Sequence, residues 1–133
     1  MKLNSKQLPN NYNDEVVEKW GQTIAYQEFS KKTKDYSSEK FAELGLKLET
    51  IFQDFAICMQ KGYMVDNPQT QEAVMKLKNH ISYHFYTCTN EILSSLSEMY
   101  IADERFKHNI DKHGLGTANY VYEAIQYYCQ FNE

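Results

Sequence analysis

The stretch from Phe41 to Met59 constrains the fold more than any other part of the chain. Phe41, Leu44, Leu48, Ile51, Phe52, Phe55 and Met59 recur at intervals of three and four. An α-helix repeats every 3.6 residues, so this spacing lines one helical face with apolar side chains. Ser37 is placed to cap that helix, Glu39 suits its positive first turn, and Gly62 suits its end. The face is expected to bury Phe41, Leu48, Phe52 and Phe55 against partners of the same kind. Such partners follow in order. Asn67-Pro68 reads as N-cap and first helical residue, and Val74, Leu77, Ile81 and Phe85 make a stripe that Cys88 continues. Ile92, Leu96, Met99 and Tyr100 form another, and Asp103 caps a short helix with Phe106 and Ile110. Gly114 and Gly116 interrupt the pattern before Ala118, Val121, Tyr122, Ile125, Tyr128 and Cys129. Upstream, Val16, Trp20, Ile24 and Gln27 suggest a weaker helix from Asp14 to about Lys34, with Gly21 inside it. Two prolines and five glycines in the whole chain leave few breakers, and no segment alternates as a strand does. The expectation is an all-α, compact, globin-like bundle of about five to six helices. It occupies residues 12–133, behind a flexible polar arm at 1–11.

Several function classes are disfavoured. The net charge is -4 and the densest basic run is Lys31, Lys32 and Lys34. Nucleic-acid binding needs a concentrated positive surface, so this segment alone is not expected to bind DNA. No apolar run approaches the roughly 18 residues of a membrane span, and no signal-peptide pattern opens the chain. A cytoplasmic protein without membrane contact is expected. Cys58, Cys88 and Cys129 are odd in number and widely spaced, which reads as free buried thiols in a reducing compartment. His80 and His84 lie one turn apart and could share a metal. Cys88 cannot join them, because positions 80 and 88 are roughly 12 Å apart along a helix axis. His80 reads better as a hydrogen-bonded, half-buried side chain. No metal or cofactor is expected, and the absence of GxSxG, HExxH or a phosphate-binding glycine loop points away from an enzyme.

The aromatic content is harder to dismiss. Eleven tyrosines and seven phenylalanines accompany the single Trp20. A buried tyrosine must satisfy its hydroxyl, whereas a cleft for a flat organic ligand uses both ring and hydroxyl. Some of these rings are ordinary core, but Tyr83 and Tyr86, which flank His84 in sequence, and Tyr26 and Tyr36 upstream are candidate pocket walls.

Four ordered segments also resemble the TipAS antibiotic-recognition domain. They are Trp20-Gly21-Gln22-Thr23-Ile24-Ala25-Tyr26 with Thr33 and Tyr36; His80-Ile81 with Phe85-Tyr86-Thr87-Cys88; Glu98 through Phe106 with Asn109-Ile110-Asp111; and Gly114-Leu115 with Glu123-Ala124-Ile125. The resemblance covers about residues 12–126. It implies a helical domain that binds drug-like ligands, thiopeptides in particular, usually behind a MerR-type DNA-binding region and a dimerising helix. Members that capture thiopeptides carry a second cysteine seven residues beyond the one matching Cys88, and here that position is Ser95. The family's frequent Tyr-Asp-Cys is Tyr86-Thr87-Cys88. The resemblance therefore implies non-covalent binding of a peptide or heteroaromatic antibiotic, by sequestration or sensing. The alternative is the effector part of a MerR-type activator whose DNA-binding half is outside this chain. The candidate ligand-binding residues are Trp20, Tyr26, Tyr36, His80, Tyr83, His84, Tyr86, Cys88, Ser95 and Asp103. Asp103 reads more readily as a helix cap paired with Arg105. The family also suggests that the Trp20–Tyr36 region orders on ligand binding. The sequence leaves oligomerisation open.

Overall fold

A computed structural model describes residues 24–132 as six helices: α1 (Ile24–Thr33), α2 (Ser38–Gln60), α3 (Pro68–His84), α4 (Asn90–Ala102), α5 (Glu104–Asp111) and α6 (Thr117–Phe131). No strand occurs among the described residues. The expected start of the first helix, Trp20 and the 1–11 arm lie outside them.

The caps explain most of the boundaries. Ser37 Oγ accepts from the Lys40 amide at 3.0 Å, and Asn67 Oδ1 accepts from Gln69 at 2.9 Å ahead of Pro68. Each satisfies an amide that a helix N-terminus leaves without an intrahelical partner. α2 stops where Gly62 adopts φ 79°, with Gly62 N–H donating to Met59 O and Tyr63 N–H to Cys58 O. That pair of reversed bonds is the Schellman arrangement, and a side chain at residue 62 would strain it. α6 begins after Gly116 at φ 93°, with no capping side chain of its own. Asp111, at the end of α5, supplies one by accepting from the Ala118 amide at 2.8 Å.

α6 is the hub, packed against α2, α3, α4 and α5. Phe55, Val74, Leu77, Leu93, Val121 and Ile125 meet around it with no exposed surface. The stripe in α2 is only partly core: Phe52 and Phe55 are buried, Leu48 is half-buried, and Phe41 is 38% exposed. Phe41 sits near the start of α2 and packs edge-on against Tyr36 with ring centroids 5.5 Å apart. The α3 stripe also ends earlier than its spacing suggested. Helix geometry stops at His84, so Cys88 lies in the α3–α4 connection and not on a continuing stripe. Here polar side chains capture the backbone. Ser82 Oγ accepts from the Cys88 amide at 3.0 Å, and Thr89 Oγ1 caps α4 by accepting from Ile92. In α4 the periodicity pointed to Ile92 and Met99, yet Leu93 and Ser97 are the buried residues beside Leu96 and Tyr100. Ser97 tolerates burial because its hydroxyl donates to Ser94 O and accepts from Gln126 of α6. Cys58 and Cys88 are buried as expected, but Cys129 is only half-buried.

Candidate functional site

α1 buries no residue of its own. It is held by side-chain contacts to the end of α3, where carbonyls lack intrahelical donors. Lys32 Nζ donates to Ser82 O at 2.8 Å and Tyr83 O at 3.4 Å, and Tyr36 Oη donates to His84 O at 2.7 Å. A cation is favoured there because the helix dipole is negative at that end. Glu28 completes the attachment. Its two carboxylate oxygens accept from the Thr87 amide at 2.8 Å and the Thr87 hydroxyl at 2.9 Å. The Thr87 amide, more than the hydroxyl or nearby Lys32, holds the Glu28 carboxyl below its usual pKa.

These attachments assemble an aromatic face. Phe29 lies 6.2 Å from Tyr26, 6.1 Å from Phe85 and 6.4 Å from Tyr86, centroid to centroid. His84 stands 5.1 Å from His80 and 4.8 Å from Tyr83. Tyr83 remains 78% exposed, so the face presents an aromatic ring to solvent. Beneath it, His80 is buried, edge-on to Phe85 at 5.9 Å. The expected hydrogen bond is incomplete: His80 Nε2 is buried without a partner. Burial, followed by the charges of His84 and Lys47, pushes the His80 pKa down. His84 is pushed down as well, by burial and then by Lys40 and Lys47, with Glu43 opposing. Both imidazoles are therefore neutral near pH 7, each offering one donor and one acceptor.

Of the candidate residues, Tyr26, Tyr36, His80, Tyr83, His84 and Tyr86 come together here. Tyr86 is the deepest tyrosine of the group, and burial raises its phenol well above the usual range. Cys88 lies behind the face, 2% exposed, its thiol pushed up to about 11 chiefly by burial. Asp103 does not join. It caps α5 through the Arg105 amide at 2.9 Å and holds the Arg105 side chain, whose hydrogen bond lowers its carboxyl to about 2. Ser95 lies apart too, exposed in a shallow groove with Lys78, Asn90, Glu91, Ser94, Cys129 and Asn132. No base lies one turn either side of Ser95 in sequence, but the fold brings Lys78 across from α3. That ammonium is already engaged with Asn90 Oδ1 at 2.8 Å and the Tyr128 ring at 5.3 Å.

Sequence reasoning missed Phe29, Phe85, Glu28 and Lys32 as parts of this face. Tyr26, Phe29 and Thr33 at three- and four-residue spacing were the available signal; Ile24 and Gln27 pointed to the exposed side. Among the described residues no three His, Cys, Asp or Glu side chains group as a metal site would need. No described helix is long and apolar enough to cross a membrane.

The family model of the TipAS antibiotic-recognition domain matches residues 12–128. The chain belongs to this family. As a TipAS domain it is 36% identical over 122 residues to the HTH-type transcriptional activator mta of Bacillus subtilis, covering 92% of the chain and 46% of that relative. It is 33% identical over 117 residues to the HTH-type transcriptional activator TipA of Streptomyces coelicolor, covering 88% and 46% respectively. The TipAS domain thus spans about half the length of the curated relatives it matches, and they are named as activators of transcription, not as enzymes. Its fold matches that of TipAS from Streptomyces lividans, solved in complex with nosiheptide. The TM-score is 0.81 at 32% identity, with 92% of this chain and 86% of that one covered. The helical bundle read from the periodicity is therefore the fold of the family.

Proposed function

We propose that this domain binds a peptide antibiotic rich in heteroaromatic rings, a thiopeptide in the first instance, and does so without covalent capture or catalysis. The observation that carries the reading is the likeness, across 92% of the chain, to a TipAS structure holding the thiopeptide nosiheptide. The local chemistry supports it. Flat heterocycles stack on aromatic rings, and Tyr26, Tyr83 and His84 present such rings on one face. His80 and His84 supply neutral donors and acceptors for ring nitrogens and amides. Cys88 and Ser95 occupy the two positions that the family resemblance points to for covalent capture. Cys88 is protonated and buried, and a serine hydroxyl without an activating base is not a nucleophile near neutral pH.

A second reading concerns the longer protein. The curated relatives are about twice as long and are activators of transcription, which supports a sensing role in which this domain is the effector part of a MerR-type regulator. A lone domain would instead sequester the drug. Both readings place it in the cytoplasm and share one binding step. Thermal unfolding with nosiheptide tests that step: ligand at 100 times its dissociation constant adds about 2.7 kcal/mol of stability. An unchanged melting temperature at saturating nosiheptide and at a panel of related thiopeptides would defeat the proposal. Tyr83→Ala should weaken binding while leaving the free protein's melting temperature nearly unchanged, because its ring is mostly in solvent.

A further inference from the structure

The thiols of Cys88 and Cys129 are anchored at neighbouring points. Cys88 Sγ donates to Thr89 O at 3.8 Å, and Cys129 Sγ donates to Asn90 O at 3.3 Å. Thr89 and Asn90 are consecutive, and consecutive Cα atoms are only about 3.8 Å apart. The two sulfurs are thus anchored on adjacent peptide units at the start of α4, although they come from the α3–α4 connection and from the last turn of α6. They also differ in access. Cys129 lines the groove beside Ser95 and is half-buried, whereas Cys88 is 2% exposed. Lys78 reaches both, its charge opposing the burial that raises each thiol. Cys58 is buried in α2, beside Tyr120.

We propose that Cys88 and Cys129 form a peroxide-oxidisable dithiol pair that closes to a disulfide between the α3–α4 connection and the end of α6. Hydrogen peroxide enters through the groove and meets Cys129. The Cys129 thiolate attacks one peroxide oxygen, the O–O bond breaks, and the departing hydroxide takes up a proton to leave as water, giving a sulfenic acid. The Cys88 sulfur then attacks the sulfenic sulfur, its proton leaves with the hydroxyl as a second water, and the S–S bond forms. The two thiols lose two electrons and two protons, and the peroxide is reduced to two waters. The order follows from access: the half-exposed sulfur reacts first and the buried one resolves it. Closure ties down the connection that carries Phe85 and Tyr86, so oxidation reports on the aromatic face without requiring any ligand.

The test treats the full chain with hydrogen peroxide, blocks remaining thiols with iodoacetamide, and measures intact mass and tryptic peptides. Wild type and Cys58→Ser should each lose two hydrogens, about 2 Da, and show peptide 79–105 joined to peptide 113–133, a link that dithiothreitol reverses. Cys129→Ser should show no linked peptide. Cys88→Ser should accumulate a dimedone-trappable sulfenic acid at Cys129. Cys129 is half-buried at a helix end, so its variant keeps the test valid even if Cys88→Ser fails to fold. A wild type that stays reduced in excess peroxide would overturn the proposal. So would Cys129 sulfinic acid without the 79–105 to 113–133 link, or a link through the Cys58 peptide 48–61.

Discussion

Replacing His80 with leucine removes a titratable ring atom that the fold buries without a partner beneath the aromatic face. An unsatisfied buried polar group costs about 1–3 kcal/mol relative to an apolar one of the same shape. The loss on the other side is the ring's edge-on contacts with His84 and Phe85, and aromatic pairs of this kind contribute about 0.5–1.5 kcal/mol. The two pairs together contribute about 1–3 kcal/mol, so the two effects nearly cancel and His80→Leu should lie within about 1 kcal/mol of wild type, or roughly 3–6 °C in melting temperature for a domain of this size. The pH dependence gives a second measure. The folded-state pKa of His80 lies below its unfolded value, so in the window below about 6.5 the unfolded chain binds more protons than the folded one. Stability therefore rises with pH and is lost as pH falls below the unfolded value. His80→Leu should flatten that loss, with the remainder coming from His84. Urea unfolding at pH 7.5 and at pH 5 measures both effects. A variant less stable than wild type by 1 kcal/mol or more, taken as an order of magnitude, would mean that Nε2 has a partner in solution. Identical losses in the two proteins on acidification would refute the titration argument. If His80 is also a polar contact for the ligand, the leucine variant should bind nosiheptide less tightly at nearly unchanged stability.

Phe55→Ala should cost about 3–5 kcal/mol in urea unfolding, since the ring is fully buried against α6, while Phe41→Ala should cost under about 1 kcal/mol; similar losses at both would contradict the burial pattern. Asp103→Ala should lower stability by about 0.5–2 kcal/mol through the lost cap of α5, with ligand affinity unchanged by calorimetry. A drop in affinity would return Asp103 to the site. Intact mass after incubation with nosiheptide should be that of the unmodified chain under denaturing conditions. An adduct at Cys88 would overturn its burial, and Ser95→Cys should create an adduct if the groove at residue 95 lies within reach of the bound drug.

Local signals determined the helices of this domain. Ser37, Asn67 and Asp103 act as caps through their own short side chains, Pro68 opens α3, and Gly62 ends α2 at a backbone angle that other residues resist. Each depends on atoms within a few residues, so each was legible in sequence, as was the apolar stripe that seats Phe52 and Phe55. The family was legible too, because its segments run in order along the chain. What the sequence could not settle rests on pairings across many residues. Glu28 meets Thr87, Tyr36 meets the carbonyl of His84, and Lys32 meets those of Ser82 and Tyr83. These contacts turn α1 so that Phe29 faces Phe85 and Ile24 faces water, where periodicity alone allowed the reverse. Tertiary packing likewise decided that the α3 stripe ends at His84, that Cys88 is buried from a connection, and that Asp103 and Ser95 stand apart from the aromatic face. A helix period specifies which residues share a side of one helix. Which side faces a neighbour, and which polar atom is left without a partner when it does, is set only when the helices pack.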